Sequence, residues 1–302
     1  MKRCLTLLIV GSLLVMLLGA GASAAKPTIV VASKNFTEQV ILGSIMNILL
    51  EENGFRVDDK LDLGGTSICR KALETGQIDV YMEYTGTALV VFHKHKEVVT
   101  DPELAYKLVS EADKKKGLIW LNKAEFNNTY TLMMRREDAE AKGIKTISDL
   151  AKYVTEHPEK ISFATDAEFV ARPDGFPALE KHYGFKFPRN KIIKMDPGLV
   201  YQAIKEKKVN VSMGFATDGR IEGFGLVNLI DDKQFFPVYN PAPVVRREVL
   251  DKYPEVGGLL NKIGPLLDTK TMTRMNYLVD IEHKDASAVA RDWLVSVGLI
   301  DK

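Results

Sequence analysis

The 302-residue chain carries 41 basic against 40 acidic side chains, a formal net charge of +1, with 46% hydrophobic residues and two cysteines. Nothing in that balance asks for nucleic acid or an anionic membrane surface as a partner.

Residues 1–24 read as a cleaved signal peptide: Lys2 and Arg3 form a basic start, Leu5 to Leu18 an apolar run, and Ala22-Ser23-Ala24 a small-residue cleavage site. The run is too short for a retained membrane anchor, and Cys4 precedes it, so it is not a lipidation site. The expected product is an exported, soluble, periplasmic chain of 278 residues with 39 basic and 40 acidic side chains. That length suits one large or two medium domains. Cys69 is then the remaining cysteine, and it is expected to be a small buried hydrophobe.

Thr28 to Ala32 has the near-continuous apolar pattern of a buried parallel strand. Asn35 and Glu38 then form a capping-box variant ahead of a helix with Val40, Ile41, Ile45, Ile48 and Leu49 at helical spacing, which ends at Asn53-Gly54. Arg56 to Leu63 is a strand, Gly64-Gly65-Thr66 a turn with Thr66 as helix cap, and Ser67 to Thr75 a helix with Ile68, Ala72 and Leu73 inward. Asp79 to Met82 is the third strand. It runs into Tyr84 and the Gly86 turn, with Tyr81 assigned to core packing. A helix from Asp101-Pro102 carries Leu104, Leu108 and Ala112 and closes at a solvated run, Lys114 to Lys116.

After a short strand at Leu118 to Leu121, the series begins again. Strands are predicted at Thr131 to Met134, Ile161 to Ala164, Ile192 to Met195 and Val209 to Phe215. Helices fall at Ser148 to Val154, at Gly175 to Tyr183 and after Pro197, where Tyr201 is core or rim. Two such alternations imply an α/β protein of two lobes with mostly parallel sheets. The chain is expected to cross between lobes near Phe126 to Tyr130 and near Gln234 to Pro243, giving residues 25–129 and 237–302 to lobe 1 and 130–236 to lobe 2. Helices from Thr271 onward and from Asp285 to Val297 should pack back on lobe 1. Two crossings make a hinged clamp.

Unusual residues gather where strands end, the edge at which ligands bind in open α/β sheets. Lys34, Thr66, Tyr84, Asp166, Asp196 and the segment from Phe215 to Arg220 all follow predicted strands, and Tyr130 and Tyr239 lie at the crossings. No G-x-S-x-G elbow, phosphate loop, G-x-G-x-x-G, H-E-x-x-H or paired C-x-x-C is present, and His93 and His95 are weak as metal ligands. A cleft of binding groups without a reactive group points to recognition, with no enzyme activity, cofactor or metal expected.

Ser33-Lys34-Asn35-Phe36-Thr37-Glu38-Gln39, Leu63-Gly64-Gly65-Thr66, Glu83-Tyr84-Thr85-Gly86-Thr87, Phe126-Asn127-Asn128-Thr129-Tyr130, Thr217-Asp218-Gly219-Arg220-Ile221 and Asp231-Asp232-Lys233, in order from about Thr28 to Leu299, resemble the substrate-binding proteins of osmoprotectant ABC importers. The resemblance implies a two-lobed periplasmic-binding-protein fold, type II-like, and a quaternary ammonium ligand such as glycine betaine, choline or carnitine. It implies an aromatic box made by Tyr84, Tyr130, Phe215 and Tyr239, with Phe215 where the family generally has Tyr. Lys34, Thr87 and Arg172 match positions that donate to a ligand carboxylate. The implied partner is a membrane permease and ATPase complex, and the binding protein is expected to be a monomer.

Physics agrees with such a box. A trimethylammonium group has no N–H to donate, so ring quadrupoles in a water-poor pocket hold it best, at roughly 0.5–2 kcal/mol per ring. The two cations Lys34 and Arg172 favour a zwitterion, glycine betaine first. Two alternatives stay open: a zwitterionic amino acid or other small polar metabolite, with Asp166 or Asp218 meeting its ammonium, and an enzyme acting on a small amine.

Overall fold

The computed structural model describes residues 27–302, so the expected signal peptide lies outside the described residues. Ten strands occur among the described residues: β1 (Thr28–Lys34), β2 (Arg56–Gly64), β3 (Val80–Tyr84), β4 (Leu118–Trp120), β5 (Tyr130–Arg135), β6 (Phe163–Thr165), β7 (Ile192–Lys194), β8 (Val211–Phe215), β9 (Leu226–Asn228) and β10 (Pro241–Arg246). They form two five-stranded sheets, ordered β2-β1-β3-β10-β4 and β7-β6-β8-β5-β9. In each sheet three neighbouring strands run parallel. The strand entered after a crossing, β10 in one and β5 in the other, is antiparallel to both its neighbours. The architecture is thus α/β with mixed, mostly parallel sheets joined by two crossings, as the alternation predicts.

The Thr37–Glu52 helix lies on the first sheet. Its Ile41, Leu42, Ile45 and Leu49 pack with Val80 and Met82 of β3 and with Met272, Met275, Val289 and Trp293 of the two C-terminal helices, Thr269–Asp280 and Ala286–Ser296. Those helices therefore do return to the first lobe. Tyr81 faces the other side of the sheet, fully buried, and donates to Glu83.

Three local expectations are corrected. Glu38 does not cap its helix: Phe36 is the N-cap residue, without a side-chain bond, and Glu38 is buried and bonded elsewhere. Thr66 is not a cap either, because the helix Thr66–Glu74 has Gly65 at that position. Ile68, assigned inward, is 55% exposed, and Leu104, on the apolar stripe of its helix, is 49% exposed. The cause is a buried ion pair: Arg70 meets Asp113 bidentately at 2.8 and 2.6 Å, and Asp113 also accepts from the Trp120 indole. That pair turns both helices, so that Cys69, Arg70, Ala72 and Leu73 face in from one and Ala105, Val109 and Asp113 from the other. His93 Nε2 lies 2.9 Å from the same Asp113 carboxylate. Cys69 is buried as expected, and burial pushes its thiol up to about 12.

Pro241 and Pro243, expected in a crossing, sit inside β10, between β3 and β4. A central strand tolerates them because β4 is short. Its pairing begins at Val244, and the proline carbonyls accept from Ala124 and Leu121 beyond the end of β4.

Candidate functional site

Strand ends supply the site. Lys34 ends β1 and Tyr84 ends β3, followed by the Thr85–Thr87 turn, while Phe215 ends β8 in the other sheet. Arg172 follows the short Ala167–Ala171 helix, Tyr130 opens β5 after the first crossing, and Tyr239 lies in the second. All seven expected residues, Lys34, Tyr84, Thr87, Tyr130, Arg172, Phe215 and Tyr239, line a single cleft. Phe36, Asn128, Asp166 and Glu168 join them on its wall, of which Phe36, Asn128 and Glu168 were not singled out from sequence as ligand-facing. Phe36 follows Lys34 by two residues, so its placement at a strand end was the available signal.

The rings form one continuous surface. Tyr130 stands edge-on to Tyr239, with centroids 5.7 Å apart and planes at 81°, and tilts 47° against Phe215 at 5.1 Å. Phe215 stacks on Phe36 from the opposite lobe at 5.2 Å, and Phe36 continues to Tyr84 at 6.3 Å. Tyr130 is backed by Phe169 at 4.8 Å. These spacings are those of favourable aromatic pairs. Burial raises the phenols of Tyr84, Tyr130 and Tyr239 well above their ordinary value, so all three stay neutral donors.

Both cleft cations already have partners. Lys34 Nζ donates to Glu83 at 2.6 Å and to the Thr66 hydroxyl at 3.0 Å, leaving one of its three protons. Arg172 forms a bidentate pair with Asp174 at 2.8 and 2.6 Å, and its Nη1 lies 3.4 Å from Thr87 Oγ1 and 3.3 Å from Glu168. Its guanidinium sits 5.2 Å from the Tyr130 ring centre, and Asp174 in turn accepts from the Tyr239 hydroxyl at 2.6 Å. Lys34 and Arg172 thus position the walls as well as offering free donors. Burial pushes the Asp166 carboxyl up to about 6, against the bond from the Phe169 amide that it caps. Burial would raise Glu168 too, but the charges of Lys34 and Arg172 outweigh it and hold Glu168 below the usual range. Asp218 is spent on Arg220 at 2.9 and 2.5 Å.

Hydrogen bonds cross the cleft. The Thr66 amide donates to Glu168 at 3.3 Å. Glu38, in the first lobe, accepts from Tyr84 at 2.7 Å, from Asn128 of the crossing at 2.8 Å, from Asn276 at 3.1 Å, and from Thr217 of the second lobe at 2.5 Å. The crossings are tied to each other: the Asn128 amide donates to the Tyr239 carbonyl at 3.1 Å and the Tyr239 amide to Asn127 Oδ1 at 2.8 Å.

Two α/β lobes of this strand order, joined by two crossings and meeting over a ring-lined cleft at their strand ends, define a two-lobed solute-binding protein. The family follows from comparison: the chain belongs to the substrate-binding domains of ABC-type glycine betaine transport systems, whose family model matches residues 27–296. It is 42% identical to a glycine-betaine-binding protein of Pseudomonas aeruginosa over 94% of this chain and 92% of that one. With the glycine betaine-binding protein YehZ of Escherichia coli K12 it shares 36% identity, over 91% and 92% of the two chains. A solved structure described as a glycine betaine/carnitine/choline ABC transporter superposes with a TM-score of 0.71 at 31% identity, covering 90% of this chain and 100% of that one. No helix among the described residues is long and apolar enough to cross a membrane.

Proposed function

We propose that this protein captures a quaternary ammonium osmolyte, glycine betaine first, between lobes 25–129/237–302 and 130–236, and delivers it to a membrane ABC importer after export and removal of residues 1–24. It acts as a monomeric carrier and not as an enzyme. The observation that carries the reading is the convergence of five rings, from both lobes and both crossings, on one cleft. Phe36, Tyr84, Tyr130, Phe215 and Tyr239 surround the trimethylammonium group, each worth roughly 0.5–2 kcal/mol once water is excluded. The remaining Lys34 proton, the Thr87 hydroxyl and the Arg172 guanidinium receive the carboxylate. The binding names of the relatives above, and the chain's family, support the same ligand class.

A second reading, a purely cationic ligand such as choline, draws on Asp166 and Glu168 in the cleft wall and on the prior pairing of Lys34 and Arg172. Asp166 also keeps a zwitterionic amino acid in view. Calorimetry with glycine betaine, choline, carnitine and a panel of amino acids separates these. Glycine betaine is expected to bind tightest, and choline binding at least as tightly would overturn the zwitterion preference. A zwitterionic amino acid outcompeting all three would overturn the box.

A further inference from the structure

Glu38 is a carboxylate with no counter-ion. It is 3% exposed, its four contacts are the neutral donors Tyr84, Asn128, Thr217 and Asn276, and no described lysine, arginine or histidine pairs with it. A buried carboxylate is ordinarily matched by a cation, because neutral hydrogen bonds recover only part of the hydration it loses.

The charged groups around it are engaged with one another. On β3, Glu83 points to the other face and pairs with Lys34. On the second lobe, Asp218 holds Arg220, and Arg220 also lies 3.5 Å from Asp280 of the Thr269–Asp280 helix. Asp280 accepts from Thr37, beside Glu38 on its own helix. In the cleft, Arg172 is held by Asp174 and Glu168, and Asp166 caps its helix. Glu38 itself lies directly behind the ring wall. It is bonded to the Tyr84 hydroxyl and shares a small second cavity with Phe36, Asn128 and Phe215, all of which also face the ligand cleft.

We infer that Glu38 is a positioning residue whose missing counter-charge is the ligand's own quaternary ammonium group, so that cation capture and deprotonation of Glu38 are coupled. This rests on the functional reading above. In the empty protein burial raises Glu38 from its ordinary value against the four hydrogen bonds that lower it, so its proton is held more firmly than that of an exposed glutamate. Protonated, it brings a fifth donor among four, so the Tyr84 or Thr217 hydroxyl must turn to accept. A cation on the cleft side of the Tyr84 wall favours the ionised form, which takes all four bonds. That fixes Tyr84 on one lobe and Thr217, two residues beyond Phe215, on the other. Binding therefore expels a proton, and affinity falls as pH drops through the empty-state titration of Glu38, by at most about tenfold per pH unit for one proton.

The experiment is calorimetry with glycine betaine from pH 5 to 8, in paired buffers of different ionisation enthalpy, on wild type, Glu38→Gln and Asp166→Asn. Wild type is expected to release a fraction of one proton and to bind more weakly at pH 5 than at pH 8, by no more than about tenfold per pH unit. Glu38→Gln is expected to bind with a flat profile and no proton release, whereas loss of a merely structural contact would weaken binding equally at every pH. A slope retained in Glu38→Gln, or abolished in Asp166→Asn, overturns the inference by assigning the proton to the cleft carboxylate. If Glu38→Gln fails to fold, proton release persisting in Asp166→Asn supports it and its disappearance overturns it. Tight binding by wild type without proton release sinks this inference alone. Failure of every quaternary amine to bind sinks the functional reading beneath it.

Discussion

Phe215 is the wall on which charge and shape can be separated. Leucine at this position keeps apolar bulk but removes the ring face, a loss of about 0.5–2 kcal/mol for a cation in contact with it. It also removes the stack on Phe36, which spans the two lobes at 5.2 Å and 17° and adds about 0.5–1.5 kcal/mol to the closed arrangement. Phe215→Leu should therefore weaken glycine betaine by about 1–3.5 kcal/mol, roughly 5- to 300-fold. The control is 3,3-dimethylbutanoate, the neutral-carbon counterpart of glycine betaine, which has the same shape and carboxylate but no positive charge. It should lose only the stacking share, roughly 2- to 13-fold. Competition calorimetry on both compounds gives the difference, and Phe215→Tyr, which keeps the ring face, should leave glycine betaine within about threefold. Equal losses for the charged and neutral compounds would refute cation–π capture at this wall.

Two more outcomes follow from the geometry. A Cβ at Gly86 would lie 2.5 Å from the Val238 carbonyl oxygen and 2.9 Å from the Tyr239 ring, so Gly86→Ala should push that ring out of place. It should lower glycine betaine affinity by about tenfold or more while the fold persists at a cost of about 1–3 kcal/mol; calorimetry beside thermal melting checks both. Asp166 titrates in the folded state at about 6, above its unfolded value of about 3.9, so its contribution to stability is present below about pH 4 and lost as pH rises through about 6. Asp166→Asn, which keeps an acceptor for the Phe169 amide, should stabilise the empty protein by about 1–3 kcal/mol at pH 7.5 and by little at pH 4; equal gains in denaturation at both pH values would contradict it.

What the sequence made legible was local. Tyr84 could be placed because alternation marks β3 and Gly86 marks its end, and Tyr81 could be set aside because odd spacing sends it to the opposite face. Glu38 was misread for the same reason, since a glutamate three residues after an asparagine at a helix start looks like a cap. Its actual partners, Tyr84, Asn128, Thr217 and Asn276, lie 46 to 238 residues away, and no local pattern announces them. The inward faces around Ile68 and Leu104 were missed because a charged pair, Arg70 and Asp113, outweighed the hydrophobic spacing that normally decides a helix's orientation. Pro241 and Pro243 read as loop because the shortness of β4, which leaves their missing amides without consequence, is a property of the assembled sheet.

Tyr130 and Tyr239 sit where the chain passes between lobes, and the two passing segments are bonded to each other. In the proposed hinged clamp these bonded crossings are the axis, and points on an axis of rotation do not travel, so the two-ring corner would keep its shape at any opening angle. A solute arriving at such an open protein would meet a half-built receptor before Tyr84 and Phe215 swing in from either side. Recruitment and retention would then be separate properties with separate addresses, the association rate set by the stationary corner and the residence time by the moving walls.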